Sequence, residues 1–90
     1  MYQVRPTLTF ERDFKKLSPD IRRLVAEKID WLAQLAMPPG QPLQHLPPSL
    51  SGLRKYRVGD WRILFWVINA PPKIVLYGVE HRGAVYRRLR

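Results

Sequence analysis

Two strand-like stretches separated by only two residues, Gly59 and Asp60, constrain the fold of this chain more than any other feature. The stretches on either side read LRKYRV and WRILFWVI, and both have the length and composition of β-strands. Two-residue loops of this type join tight antiparallel hairpins. The sequence therefore predicts a β-hairpin in which Val58 and Trp61 flank the turn.

This register places three cations on one face of the hairpin. It pairs Arg57 with Arg62, and it pairs Lys55 with Leu64. Because side chains alternate between the two faces of a strand, the three basic side chains share one face. Like charges opposite each other destabilise a sheet, and a polyanion such as RNA would relieve the repulsion. The hairpin thus gives a first indication that the protein acts on nucleic acid.

The net charge of the chain is concentrated in the same region. Residues 1–52 carry seven Lys and Arg against five Asp and Glu, a net charge of +2, whereas residues 53–90 carry nine against two, a net charge of +7. This distribution indicates an anion-binding surface in the C-terminal part. A generally basic surface is the alternative, and an acidic partner protein would also relieve the self-repulsion.

The composition narrows the class of protein. Ninety residues suit one domain, residues 1–90, and 46% hydrophobic residues suffice for a modest core. The chain has no cysteine, which excludes disulfides and cysteine-based zinc sites. We recognise no membrane-spanning run and no signal peptide, so we expect a cytoplasmic protein without a membrane partner.

The first 36 residues predict a strand followed by two helices. Residues 2–8 alternate as a strand does, Thr9 is the expected N-cap of a short helix, and Ser18 is the expected N-cap of a second helix. The buried face of the second helix is predicted to consist of Ile21, Leu24, Val25, Ile29, Leu32 and Leu35.

The remaining segments complete a β-α-α-β-β-β order. Residues 37–51 are rich in proline and predict an irregular loop, residues 74–79 predict a last strand, and residues 84–89 a short helix or an extended tail. We therefore predict an α+β fold, with a small antiparallel-dominated sheet covered on one face by an αα-hairpin.

The residues available for chemistry are cations and aromatics. His45 and His81 lack metal-ligand spacing, and the chain contains neither a phosphate-binding glycine loop nor a nucleophile elbow. Cations with a tyrosine suit metal-free RNA cleavage, in which the 2′-OH attacks the adjacent phosphate and the protein aligns groups, stabilises charge and moves protons. The candidate residues are Lys55, Arg57, Arg62, His81, Arg82 and Tyr86.

Each candidate also has a purely structural interpretation. Arg57 and Arg62 would then be solvated strand residues, Tyr86 would pack the C-terminal tail, and His81 would hydrogen-bond the backbone at the strand end. The chemical interpretation therefore depends on whether the fold brings these residues together.

The sequence resembles the RelE/ParE toxin superfamily of bacterial type II toxin–antitoxin systems over essentially its whole length. The resemblance implies the α+β fold described above. RelE-type members enter the ribosomal A site and cut mRNA there without a metal or another cofactor. A cognate antitoxin with an acidic toxin-binding segment neutralises the toxin, and contact with operator DNA is only indirect, through the antitoxin. The stretches that carry the resemblance are FERDFKKLSPDIRRLV, LRKYRVGDWRILFWV and VLYGVEHRGAVYRRL.

The resemblance also implies roles for individual residues. Arg62 and Arg82 would hold the phosphate and stabilise the transition state, assisted by Lys55 or Arg57, and Tyr86 would transfer a proton or stack on a base. An arginine at position 57 stays protonated at neutral pH, so the general base is Lys55, His81 or Tyr86. The residues expected to bind RNA are Arg54, Lys55, Arg57, Arg87 and Arg88.

The superfamily offers two other functions. Its ParE branch shares the fold and poisons DNA gyrase, and an inactive member would only bind antitoxin or DNA. Members of the ParE branch generally lack the full set of cations and tyrosine. Because Arg62, Arg82 and Tyr86 are all present, the resemblance favours the ribonuclease branch.

Overall fold

The protein folds as an α+β domain around one five-stranded sheet. The computed structural model describes residues 1–89. The strand order is β1-β5-β4-β3-β2, with β1 parallel to β5 and all other neighbours antiparallel. The elements in chain order are β1 (Gln3–Pro6), α1 (Leu8–Lys16), α2 (Pro19–Gln34), β2 (Gln41–Pro42), β3 (Arg54–Val58), β4 (Trp61–Asn69), β5 (Pro72–His81) and α3 (Val85–Arg88).

The β3–β4 hairpin has the predicted register. Val58 pairs with Trp61 across the turn, and Arg57 pairs with Arg62. Gly59 has a φ of +59°, as the first central residue of a type II′ turn requires. The turn sequence therefore fixes which face of the hairpin carries the cations.

The first helix begins two residues earlier than predicted. Thr7, not Thr9, is the N-cap: its hydroxyl accepts a hydrogen bond from the Phe10 N–H at 3.2 Å and donates one to the Leu76 carbonyl at 2.8 Å. This cap ends β1 at Pro6, so the predicted strand over residues 2–8 is too long. The second helix is capped by Ser18, as predicted.

The two helices pack on one face of the sheet and form the main core. The core joins helix residues such as Val25 and Ile29 to strand residues such as Phe65 and Ile74. Leu24, predicted to be buried, is 51% exposed because it lies at the margin of the apolar stripe of α2. The other predicted positions of that stripe face the core or its edge.

The opposite face of the sheet is partly covered by the proline-rich loop and α3. Residues 37–51 include the short strand β2, which pairs with β3, and a 3₁₀ turn over Pro48–Leu50, so this segment is more regular than predicted. Residues 84–89, predicted as a short helix or an extended tail, contain the short helix α3. A second apolar cluster joins these segments to the sheet and consists of Leu43, Leu53, Leu64, Val85 and Leu89. Within residues 1–89, no helix is long and apolar enough to cross a membrane.

Candidate functional site

Three basic side chains form an open surface on the sheet face opposite the helical hairpin. Lys55 and Arg57 project from β3 and Arg62 projects from β4, since their neighbours Tyr56 and Ile63 point into the main core. We call these three residues the cationic face. None of them forms an ion pair with a carboxylate within residues 1–89. Their positive charge is therefore available to an external anion.

A tyrosine hydroxyl lies against the cationic face. Tyr86, in α3, places its hydroxyl oxygen 3.4 Å from Lys55 Nζ, and Lys55 Nζ lies 5.1 Å from the centre of the Tyr86 ring. The Tyr86 side chain stays 52% exposed. An open depression beside this pair is lined in part by Gln41 and Gln44 of the proline-rich loop. A bound molecule can therefore contact the hydroxyl and the ammonium together.

Two arginines meet at the hairpin turn. Arg62 Nη1 donates hydrogen bonds to the carbonyls of Gly59 at 3.1 Å and Trp61 at 3.0 Å, which directs its guanidinium along the turn. The Arg82 N–H donates to the Asp60 carbonyl at 2.8 Å, and Arg82 Nε lies 3.7 Å from an Asp60 carboxylate oxygen. The Gly-Asp turn thus anchors both arginines. The remaining guanidinium nitrogens of both residues form no hydrogen bonds within residues 1–89.

His81 lies on the other side of the sheet from the cationic face. It pairs with Trp61 across β4 and β5, and the two ring centroids are 5.4 Å apart in an edge-to-face arrangement. Its Nδ1 accepts a hydrogen bond from the Gly83 N–H at 3.4 Å. Trp61 packs against the main core, so the ring of His81 is held away from Lys55 and Tyr86. The structure therefore does not bring His81 together with Lys55 and Tyr86, the residues with which it was expected to form a catalytic group.

Arg54 is also separated from the cationic face. It is the neighbour of Lys55 in β3, so its side chain lies on the helical side of the sheet. Its Nη2 donates to the Gly40 carbonyl at 2.9 Å, and its Nε is buried without a hydrogen-bond partner. Arg54 was expected to bind RNA, but its guanidinium contacts the loop that follows α2, so the structure does not bring it together with the cationic face.

The two adjacent arginines of α3 differ in their surroundings. Arg88 Nη1 lies 2.7 Å from an Asp13 carboxylate oxygen and 3.4 Å from one of Glu80, and the Arg88 side chain is only 17% exposed. Arg88 was expected to bind RNA, but two carboxylates pair with its guanidinium, so the structure does not bring it together with the cationic face. Arg87 is exposed and donates to the Gly83 carbonyl at 3.3 Å, so it remains accessible.

Three carboxylates that the sequence analysis did not assign a role contact arginines in or near the site. Asp60 contacts Arg82, while Asp13 and Glu80 contact Arg88. Asp60 was detectable in principle because it belongs to the predicted turn. Asp13 carried no such signal, since a helix residue and a partner far along the chain meet only through the tertiary fold. Within residues 1–89, no group of three His, Asp or Glu side chains is arranged to hold a metal ion.

Comparison with known proteins assigns this chain to a family. Residues 4–86 match the family described as "ParE toxin of type II toxin-antitoxin system, parDE". The chain is 34% identical over 88 residues to Toxin RelG of Mycobacterium tuberculosis, with 97% of this chain and 98% of the relative covered.

Solved structures show the same fold. A chain of the toxin–antitoxin complex RelBE2 from Mycobacterium tuberculosis matches with a TM-score of 0.75 and 33% identity over 90% of this chain and 91% of that chain. A mutant of E. coli toxin RelE in the free state matches with a TM-score of 0.74 over 98% of this chain and 93% of that chain, and its 16% identity shows the fold alone. The protein therefore belongs to the RelE/ParE superfamily and is a RelE-family toxin of a type II toxin–antitoxin system.

Proposed function

We propose that this toxin is a metal-independent endoribonuclease that cleaves mRNA in the ribosomal A site and thereby inhibits translation. The observation that carries the proposal is the contact between Tyr86 and Lys55 at the edge of an unpaired cationic face. Such a surface offers positive charge to a phosphodiester, and it offers a tyrosine that can transfer a proton or stack on a nucleobase.

The proposed reaction needs no nucleophile from the protein. The 2′-oxygen of the RNA attacks its adjacent phosphorus, the bond from phosphorus to the 5′-oxygen breaks, and the products are a 2′,3′-cyclic phosphate and a 5′-hydroxyl end. One proton leaves the 2′-oxygen and one reaches the departing 5′-oxygen. The protein therefore has to align the phosphate, stabilise the phosphorane and move two protons.

We propose a role for each residue, supported by the positions of the side chains. Arg62 and Arg82, both held at the hairpin turn, would stabilise the charge on the phosphorane. Lys55 and Tyr86 would move the protons, and the Tyr86 ring is sufficiently exposed to stack on a base as well. Arg57 and Arg87 would contact flanking phosphates. The choice of general base thus narrows to Lys55 or Tyr86, because His81 lies on the other side of the sheet.

The proposed protein partner is a cognate antitoxin with an acidic toxin-binding segment. Two of the matching structures are toxin–antitoxin complexes, RelBE2 of Mycobacterium tuberculosis and the RelBE complex of E. coli. A net charge of +9 favours a partner of opposite charge. We propose that the complex forms in the cytoplasm, and that any contact with operator DNA is made through the antitoxin.

Induced expression in a bacterium, with mapping of mRNA 5′ ends before growth stops, tests the proposal. We expect growth arrest and new 5′ ends within translated codons, and we expect Arg62→Ala to remove both while the protein stays folded. Losing one preorganised transition-state contact lowers the cleavage rate by about 10²–10³-fold. Arg5→Ala is the matched control, since Arg5 is an exposed arginine of β1, at the other edge of the sheet.

Other outcomes would assign the protein differently. Growth arrest with intact mRNA and gyrase-dependent DNA breaks would instead indicate a DNA gyrase poison, as expected of the ParE branch. No growth arrest would indicate a member that only binds its antitoxin or DNA. A folded Arg62→Ala protein that cleaves at the wild-type rate would remove Arg62 from the site.

A further inference from the structure

The helix that carries Tyr86 is too short to hold its own position. α3 spans four residues, and its backbone hydrogen bonds include those from the Arg88 N–H to the Ala84 carbonyl and from the Leu89 N–H to the Val85 carbonyl. An isolated segment of this length is not a stable helix in water. The position of the Tyr86 hydroxyl is therefore set by whatever docks α3 onto the sheet.

Two kinds of contact dock α3. Val85 and Leu89 are buried in the second apolar cluster. Because apolar contacts are not directional, they hold α3 against the sheet more than they set the orientation of the helix. Arg88 supplies directional contacts on the same helix. Its Nη1 contacts the carboxylates of Asp13 and Glu80 and also donates to the Val79 carbonyl at 3.4 Å.

The acceptor side of this ion pair is itself fixed. Asp13 Oδ2 accepts the backbone N–H of Val79 at 3.0 Å, at a part of β5 that extends beyond the pairing with β1. Asp13 and Arg88 are 18% and 17% exposed, so the pair is largely shielded from water. Asp13 thus bonds to the strand edge and the α3 arginine at once.

Gly78 makes the close approach possible. A Cβ built at this position would lie 2.5 Å from both Arg88 Nη2 and Asp13 Oδ2, a distance that real Cβ atoms do not adopt. The glycine therefore leaves the space in which a side chain from α1 and a side chain from α3 meet across β5. We call the group of Asp13, Arg88 and Glu80 the edge clamp.

We propose that the edge clamp positions Tyr86 against Lys55, so that Asp13, Glu80 and Arg88 are positioning residues for the cationic face. Residues two apart on a helix point in different directions, so Arg88 reaches the clamp while Tyr86 reaches Lys55. With the clamp released, α3 would keep its apolar anchors and lose its orientation. That the edge clamp positions Tyr86 is inferred from the geometry, whereas an effect of the clamp on cleavage rests on the proposed function.

Asp13→Asn tests the clamp with little change in shape. The amide oxygen can still accept the Val79 N–H, while Arg88 loses the nearer of its two carboxylate charges and keeps that of Glu80. Two readouts apply: the nuclear Overhauser contacts between the Tyr86 ring and the Lys55 methylenes, and hydrogen exchange of the amides of residues 84–89. We expect the contacts to weaken or vanish, exchange in that segment to quicken about tenfold, and exchange in β4 to stay unchanged.

Asp20→Asn is the matched control, because it makes the same substitution in an ion pair that is exposed. Asp20 lies 3.0 Å from Arg23, and both side chains are mostly solvated. We expect no change in either readout. Should Asp13→Asn fail to fold, Arg88→Lys keeps the charge but loses the planar guanidinium, and we expect the same loss of Tyr86 contacts with a smaller increase in exchange.

Cleavage measurements extend the test to the site. We expect Asp13→Asn to lower kcat about tenfold or more with little change in KM, since misplacing a catalytic group by about 1 Å costs up to 10²-fold. In a Tyr86→Ala background, Asp13→Asn should lower kcat no further. If Asp13→Asn lowered kcat as much in the Tyr86→Ala background as in the wild-type background, the proposal would be overturned, because a general structural role would not depend on Tyr86.

The two proposals fail in different ways. Retention of the Tyr86–Lys55 contacts and of slow exchange in Asp13→Asn would overturn the edge clamp, whatever the protein cleaves. A wild-type protein that cleaves no ribosome-bound mRNA would remove the proposed function, while the nuclear Overhauser contacts would still decide whether the clamp positions Tyr86.

Discussion

The hydroxyl of Tyr86 is the atom on which the chemistry of the cationic face most depends. It lies 3.4 Å from Lys55 Nζ, so the two groups can share a hydrogen bond or transfer a proton. The ring of the same residue is exposed and can stack on a base without the hydroxyl. Removing only the oxygen therefore separates the two roles of Tyr86.

We expect Tyr86→Phe to slow RNA cleavage about 10²-fold or more while RNA binding stays nearly unchanged, because proton transfer contributes about 10²–10⁴-fold to the rate. Single-turnover cleavage and binding to an uncleavable RNA measure the two effects. Tyr2→Phe is the control, since the Tyr2 hydroxyl bonds to Asn69 away from the cationic face. Unchanged single-turnover cleavage in Tyr86→Phe would show that the ring only stacks.

The surroundings of a basic side chain can be predicted from the sequence where they depend on local contacts, but not where they depend on contacts far along the chain. Strand alternation suffices to place Lys55, Arg57 and Arg62 on one face, because the period of two is a local property. Arg88 carries the same charge but contacts Asp13, far away along the chain. No local pattern signals that pairing, so local patterns alone do not distinguish Arg88 from the accessible arginines.

The β3–β4 hairpin is the element that aligns the site. Its turn fixes the register that brings Arg57 opposite Arg62, and the carbonyl of Gly59 accepts a hydrogen bond from Arg62. The repulsion across that pair opposes the hairpin. The backbone conformation of the turn therefore has to favour pairing strongly enough to offset it.

We expect Gly59→Ala to lower the free energy of unfolding by about 1–2 kcal/mol, because a residue with a Cβ is strained at a φ of +59°. Chemical denaturation monitored by Trp fluorescence measures the change. Gly83→Ala is the matched control: Gly83 does not have a positive φ, and the nearest atom to an added Cβ is 3.7 Å away. A loss of stability as large in Gly83→Ala would argue against strain at the turn.

Element boundaries were less predictable than element types. Two threonines near the start of α1 are each suitable N-caps, and Thr7 is the N-cap because its hydroxyl also bonds to the Leu76 carbonyl of β5. Leu24 fits the apolar spacing of α2 and yet lies half exposed, since it is at the margin of the apolar stripe and is not among the residues that pack in the main core. In both cases a contact from another element, or its absence, decides the outcome.

At the scale of the whole molecule, the fold determines which basic side chains have partners within the protein and which remain accessible. The +7 of residues 53–90 includes two arginines, Arg54 and Arg88, whose side chains bond to a carbonyl and to carboxylates. Among the other described basic residues of this segment, Arg57, Arg82 and Arg87 are exposed, and Lys55, Arg62 and Lys73 are partly exposed.

This sorting predicts how RNA binding depends on salt. Each phosphate contact with a single strand contributes about −0.7 to the slope of log K against log salt concentration, so about four contacts give a slope near −3. We expect Arg57→Ala to make the slope shallower by about 0.7 while affinity falls similarly for different RNA sequences. Lys15→Ala, which removes one exposed charge from α1, should leave the slope unchanged. If Arg57→Ala and Lys15→Ala shifted the slope equally, the net charge of the molecule, and not the cationic face, would account for RNA binding.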